Sequence, residues 1–247
     1  MTAATATRLP AWLVLAGMEL RLILRNRSIA ITAIVMPLGF ASVVLFAADL
    51  DPAGMASMNV LMLAGFTVYM TVTMTLAHHR ASLFLKRVRS SPASTGGIVL
   101  GFSSAPMLLF LGQALLVITV TCVAESTVPK RGDVLVLAGL LGAITCAALG
   151  FLTASFTKTP EAAQYTTVPG FAVIFGSLMW IITTPADEVT PLMMAMPGAG
   201  VTQLLRYGWS GEGATDISLA WPAFGSVAVA VVACAVAARL FRWEPRS

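Results

Sequence analysis

Charge is what this chain has least of. Only 11% of its 247 residues are Asp, Glu, Lys or Arg, against 57% hydrophobic residues, and the mean hydropathy is +0.87. A water-soluble domain coats itself with charge, so the shortage excludes that class and leaves a chain solvated by lipid. Alternating polarity over ~10-residue segments is also missing, which excludes a membrane β-barrel and leaves helices. The three cysteines, Cys122, Cys146 and Cys234, sit in separate apolar runs with no CxxC pair and no histidine at ligand spacing, so they read as lipid- or core-facing fillers. No G-x-x-x-x-G-K-[ST] loop occurs, so nothing here cradles ATP. The first apolar run begins at Ile29 after a charged lead and carries no cleavage pattern, so no cleavable signal peptide is expected.

What is present is a set of six charge-free intervals: 29–48, 60–77, 98–124, 134–156, 166–182 and 219–238. Each is long enough, at ~17–25 residues, to cross the hydrocarbon as a helix. The expectation is one transmembrane domain over 1–247, all-α, with six spans and kinks at Pro37 and Pro106. With both termini in the cytoplasm, every one of the 15 Lys and Arg residues except Lys130, Arg131 and Arg206 falls on the inner side. Among the acids only Glu19, Glu161 and Glu244 share that side. This asymmetry orients the protein and assigns its basic balance to one membrane face, with no nucleic-acid groove. Arg far outnumbers Lys and Ala is abundant, a composition that fits a bacterial plasma membrane.

Ahead of the first span, 10–28 reads as an amphipathic helix lying in the cytoplasmic interface, with Trp12, Ala16, Leu20, Ile23 and Leu24 towards one side and Arg21 and Arg25 on the other. An extension of span one is the competing reading. Between spans two and three, "RASLFLKRVRSSP" (80–92) is longer than a plain connector needs. As a helix it pairs Phe84 with Val88 and Lys86 with Arg89, and Pro92 ends it. Two readings stand side by side. A short helix with Leu83, Phe84 and Leu85 as anchors suits a groove on a soluble partner; a basic stretch also serves as an inner-face topology signal touching anionic lipid.

This stretch resembles the cytoplasmic loop of type 2 ABC-transporter permeases, a basic, Leu-rich helix of the form G-T-L-x-R-L-R-x-[ST]-P. Ser82, Leu83, Lys86, Arg87, Val88, Arg89, Ser91 and Pro92 occupy its positions, and Ala81 replaces the usual Gly. Between spans five and six, "TPLMMAMPGAGVTQLLRYGWSG" is similar to the family's outer segment, with Pro191, Leu192, Pro197, Leu205, Arg206 and Gly208 in the matching places and no aromatic after the first proline. Among its subclasses the chain looks most like the daunorubicin-resistance type of drug exporter, and less like exporters of polysaccharides or lipid-linked glycans.

The resemblance implies a coupling helix whose contact residues are Leu83, Phe84, Lys86, Arg87, Val88 and Arg89. It implies two copies of a separate ATPase subunit that binds Mg-ATP, pairing with a second permease as homodimer or heterodimer, and a partly helical or re-entrant outer segment carrying Pro191, Pro197 and Arg206. No cofactor is expected in this chain. Spans two and five flank the family's pathway, which makes Thr67, Tyr69, Thr71, Phe171 and Phe175 candidates to touch cargo. The alternative is that the threonines bond back to their own helices. No span interior carries Asp, Glu, Lys or Arg, so an apolar or amphipathic cargo is expected and an ion-coupled carrier has no titratable site. Gln113 in span three reads as a helix–helix hydrogen bond. An intramembrane enzyme and a passive channel are the functions of other classes; the first would need a nucleophile and base within the bilayer, and no span interior holds His, Asp or Glu.

Overall fold

The structure, a computed structural model, describes residues 10–47, 49–89, 94–211 and 216–240. Among these, every regular element is helical, and six helices are long and apolar enough to cross a bilayer: Arg27–Phe46, Pro52–Ala81, Gly96–Ala124, Gly132–Ala154, Ala163–Thr183 and Ser218–Leu240, called spans one to six. The chain is a multi-pass membrane protein. Span two is its axis: 89% of its apolar window is buried inside the chain and 67% of span four's, against 28% for spans three, five and six.

Span two is also longer than its charge-free interval. It starts at Pro52, whose missing N–H suits a first helical turn, after Asp51, whose Oδ1 accepts from the Gly54 N–H at 3.3 Å. It runs on past His78, His79 and Arg80 to Ala81. The basic stretch expected as one helix over 80–92 is therefore split: Arg80 and Ala81 end span two, and a separate short helix covers Phe84–Arg89. Ser91 and Pro92, expected to end that helix, lie outside the described residues.

Proline shapes span one. A π-helical turn, Ile31–Val35, precedes Pro37, which has no N–H to return to the carbonyl four residues back, that of Ala33. The Gln113 amide of span three donates to that carbonyl at 2.9 Å, and the Thr67 hydroxyl of span two lies 3.1 Å from it. The expected interhelical role of Gln113 is thus observed, and three spans are joined at the gap that one proline opens. Thr67 belongs to a second π-helical segment, Ala64–Met70. Pro106 sits within the continuous helix Thr95–Ala124.

Before span one, Ala11–Arg25 is a separate helix, ended by Asn26 in an extended conformation (φ −93, ψ 110). The Asn26 side chain then caps span one by accepting from the N–H groups of Ser28 at 3.1 Å and Ile29 at 3.3 Å. Leu15, Glu19 and Ile23 form its buried stripe, one turn apart, so Ile23 and Glu19 face the protein and not the apolar exposed side. Leu15 comes so close to span three that a Cβ at Gly101 would stand 2.5 Å from the Leu15 Cβ. Trp12, Leu13, Leu20 and Leu24 remain exposed, as do Arg21 and Arg25.

Between spans five and six the chain makes a short 3-10 turn, Met193–Ala195, and a helix, Ala199–Ser210, that is buried along nearly all its length. Gly198 starts this helix at φ +92, a conformation that excludes ordinary side chains. Gly200 lets its first turn approach span six, where a Cβ would lie 2.3 Å from the Pro222 carbonyl oxygen. The loop between spans three and four is tied to the same helix, Arg131 N–H donating to the Gly208 carbonyl at 2.9 Å.

Candidate functional site: the junction beside the short basic helix

The short helix Phe84–Arg89 is set off from span two by a sharp turn at Ser82 and Leu83. Leu83 adopts φ +58, which costs a non-glycine residue about 1–2 kcal/mol and fixes the angle of the turn. The Leu83 N–H donates to the Arg80 carbonyl at 3.1 Å and the Arg87 guanidinium to the Ser82 carbonyl at 3.1 Å. The sequence reading offered Leu83, Phe84 and Leu85 as anchors for a partner. Leu85 is instead fully buried in the bundle core, and Phe84 and Val88 are half-buried against it. These residues key the helix into its own chain, because the i,i+4 pair and Leu85 share its inner side. Leu83, 49% exposed, and Arg87 face outward. Lys86 and Arg89 lie on the helix, and their side chains are outside the described set.

His79 is the hub behind this helix. Its ring lies 4.9 Å from that of Phe84 and 5.1 Å from that of Phe102 in span three. Its Nε2 meets Glu19 Oε1 on the N-terminal amphipathic helix. Glu19 is 1% exposed, and its second carboxylate oxygen has no hydrogen-bond partner among the described residues. One imidazole therefore connects the amphipathic helix, span two, span three and the short basic helix. The neighbouring Arg80 is equally buried and donates from Nη1 to the carbonyls of Ala154 at 3.0 Å and Thr157 at 2.9 Å. These belong to the C-terminal end of span four, where helix carbonyls lack partners in their own helix. Arg80 thus serves the architecture rather than an exposed basic surface.

At the opposite end of the bundle Arg206 does the same for span five. Its Nη1 donates to the carbonyls of Ile181 at 2.7 Å and Thr184 at 3.0 Å, and lies 3.3 Å from Gln203 Oε1. Burial pulls the pKa of its guanidinium down from the ordinary value and the Asp51 carboxylate opposes this; arginine stays charged throughout the physiological range. Of the other two outer-segment residues, Pro197 offers its carbonyl to the Ser177 hydroxyl of span five. Pro191 joins it, with Trp221 and Phe224 of span six, in lining an apolar cavity of about 490 Å³.

The pathway candidates divide into two groups. Thr67, Tyr69 and Thr71 are fully buried and engaged within the chain. Thr67 lies 2.6 Å from Gln113 Oε1 in addition to its contact with Ala33, and Thr71 donates to the Phe66 carbonyl at 3.2 Å, within its own helix. The Tyr69 hydroxyl sits 3.0 Å from Thr153 Oγ1 and 3.2 Å from the Thr167 carbonyl, beneath Gly170, where a Cβ would be 2.1 Å away. Phe171 stacks at 4.8 Å from Phe66 and 5.5 Å from Tyr69, while Phe175 is exposed farther along span five.

The sequence reading missed the convergence of Glu19, His79 and Arg80. Its only signal was three polar residues beside long apolar runs. It also passed over Asn59 and Gln203, both fully buried, with side-chain nitrogens that lack partners among the described residues. No cluster of three His, Cys, Asp or Glu able to hold a metal occurs among the described residues. Compared with known proteins, the chain matches no protein-family model, and no curated protein matches it.

Proposed function

We propose that this chain is the membrane permease subunit of an ATP-binding-cassette exporter, carrying an apolar or amphipathic cargo out of a bacterial cell. ATP hydrolysis takes place on two copies of a separate subunit, which hold the Mg-ATP. In this reading both termini are cytoplasmic, the amphipathic helix lies in the inner interface, and the short helix Phe84–Arg89 is the coupling helix. The chain itself is non-catalytic. A second permease, a copy or a sister chain, completes the pathway along the uncovered side of span five, since span two is enclosed by its own chain, and the outer segment closes its far end.

One observation carries the proposal. A short basic helix projects beyond the end of span two with Leu83 and Arg87 facing outward, while Phe84 seats it against His79 and through that residue reaches Glu19. A rigid knob joined to several helices is what a motor needs in order to tilt a bundle as a body. A topology signal needs the charge but not the seating. Span five supports the pairing, because only 28% of its apolar window is covered by its own chain.

The test is co-expression with candidate ATP-binding-cassette ATPase subunits from the same genome. Leu83→Asp combined with Arg87→Glu changes two outward residues and gives up the exposed bond of Arg87 to the Ser82 carbonyl, whose loss costs little stability. It is expected to lower ATPase copurification at least about tenfold, as loss of a docking hot spot does, with membrane insertion and unfolding temperature unchanged. Full retention of the ATPase by that variant overturns the docking role.

A further inference from the structure

A second feature at the same end of the bundle is independent of any motor. A cavity of about 310 Å³ opens where the joint between the amphipathic helix and span one meets the end of span two and the start of span five. His78, Glu161, Gln164 and Asn26 line its polar side, and Ile29 and Met74 form its apolar side. The side chains of His78, Glu161 and Gln164 make no hydrogen bond to any described residue. Glu161 and Gln164 are exposed, and His78 is half-buried with its ring 5.9 Å from that of His79, so their polar atoms are open to a ligand.

The chemistry of the lining selects a ligand. It includes no Lys and no Arg, although this is the end where the chain's cations concentrate, so a head of net negative charge has no cation to offset it. It includes one carboxylate, Glu161, beside the Gln164 amide and the His78 imidazole, which together can accept several hydrogen bonds, while the second amide, Asn26, caps span one. An ammonium group with free N–H donors fits that set. Ile29 and Met74 belong to spans one and two, so the part of the ligand below its head is apolar, and farther along span one Ile31, Val35 and Met36 are exposed. The solvent of those side chains is the lipid acyl region.

We infer that this cavity is a binding site for the headgroup of a primary-amine phospholipid, with the ammonium on Glu161 and the acyl chains running alongside span one. Phosphatidylethanolamine is the simplest such lipid. The inference rests on the membrane-spanning architecture and not on ATP coupling, so it stands or falls separately from the permease reading.

Native mass spectrometry of the full chain, released from detergent in the presence of lipids with identical acyl chains, tests it. Phosphatidylethanolamine is expected to be retained about fivefold or more over phosphatidylglycerol, the scale of one charge-assisted contact. It should also exceed phosphatidylcholine, whose methylated nitrogen cannot donate. Glu161→Gln should erase the preference, and Gln164→Ala should weaken it, with unfolding temperatures unchanged because both residues are exposed. Equal retention of phosphatidylglycerol, or an undiminished preference in Glu161→Gln, overturns the site. Displacement of phosphatidylethanolamine by equimolar dodecylamine would show that the amine alone is recognised and overturns the lipid assignment.

Discussion

Two arginines, Arg80 fully buried and Arg206 half-buried, show how little a residue's place in sequence says about its work. Arg80 opens the most basic stretch of the chain, yet its guanidinium satisfies carbonyls at the end of span four, more than seventy positions away. Arg206 closes span five in the same manner. Hydrogen bonds to a charged donor contribute about 1.5–3 kcal/mol each way round, and here two carbonyls depend on each side chain. Arg80→Met and Arg206→Met should each lower the free energy of unfolding by about 2 kcal/mol in mixed micelles, followed by chemical denaturation. A lysine at either position keeps the charge but reaches as a single point, and should recover only part of the loss. Charge counting could orient these arginines across the membrane but could not find their partners, because helix-end carbonyls leave no mark in a sequence.

At the scale of elements, the spans themselves were legible. A charged residue in hydrocarbon is costly enough that charge-free intervals and helices coincide nearly everywhere. Span two departs from the rule at both ends for a physical reason. Its Asp51-Pro52 start is a cap that the composition of the interval hides, and its last turn holds His79 and Arg80 because both are satisfied by other helices. The buried face of the short basic helix escaped the sequence for a related cause: its apolar residues look the same whether they face a partner or their own bundle. Close approach between elements is likewise set by glycine, and only where a neighbour is within reach. Gly200→Ala would press a methyl group onto the Pro222 carbonyl, and Gly176→Ala meets nothing within 4 Å. The first should cost about 1–3 kcal/mol by overpacking and the second should leave stability unchanged or slightly raised. Unfolding temperatures of the pair measured in one detergent check this.

Viewed as a whole, the molecule is a sheathed axis with uneven covering. Span two is enclosed by its own chain, while spans one, three, five and six turn most of their surface elsewhere. That unevenness leaves the outer spans as side walls while the polar clasps stay inside. The two ends differ as well, one carrying the basic helix and the other the buried helix Ala199–Ser210. With Cys122, Cys146 and Cys234 replaced by alanine, an impermeant thiol reagent should label Leu192→Cys in intact cells and Leu83→Cys only after permeabilisation. Both positions are exposed in the chain, at 81% and 49%, so accessibility is decided by sidedness alone. Labelling of Leu83→Cys from outside would reverse the orientation.

Asn26 gives the amphipathic helix and span one a joint a single residue long, and the same side chain that breaks one helix begins the next. Such an elbow has no slack to absorb a displacement. Any displacement of the first helix must arrive at the second as leverage, and the long arm of that lever reaches across the bilayer.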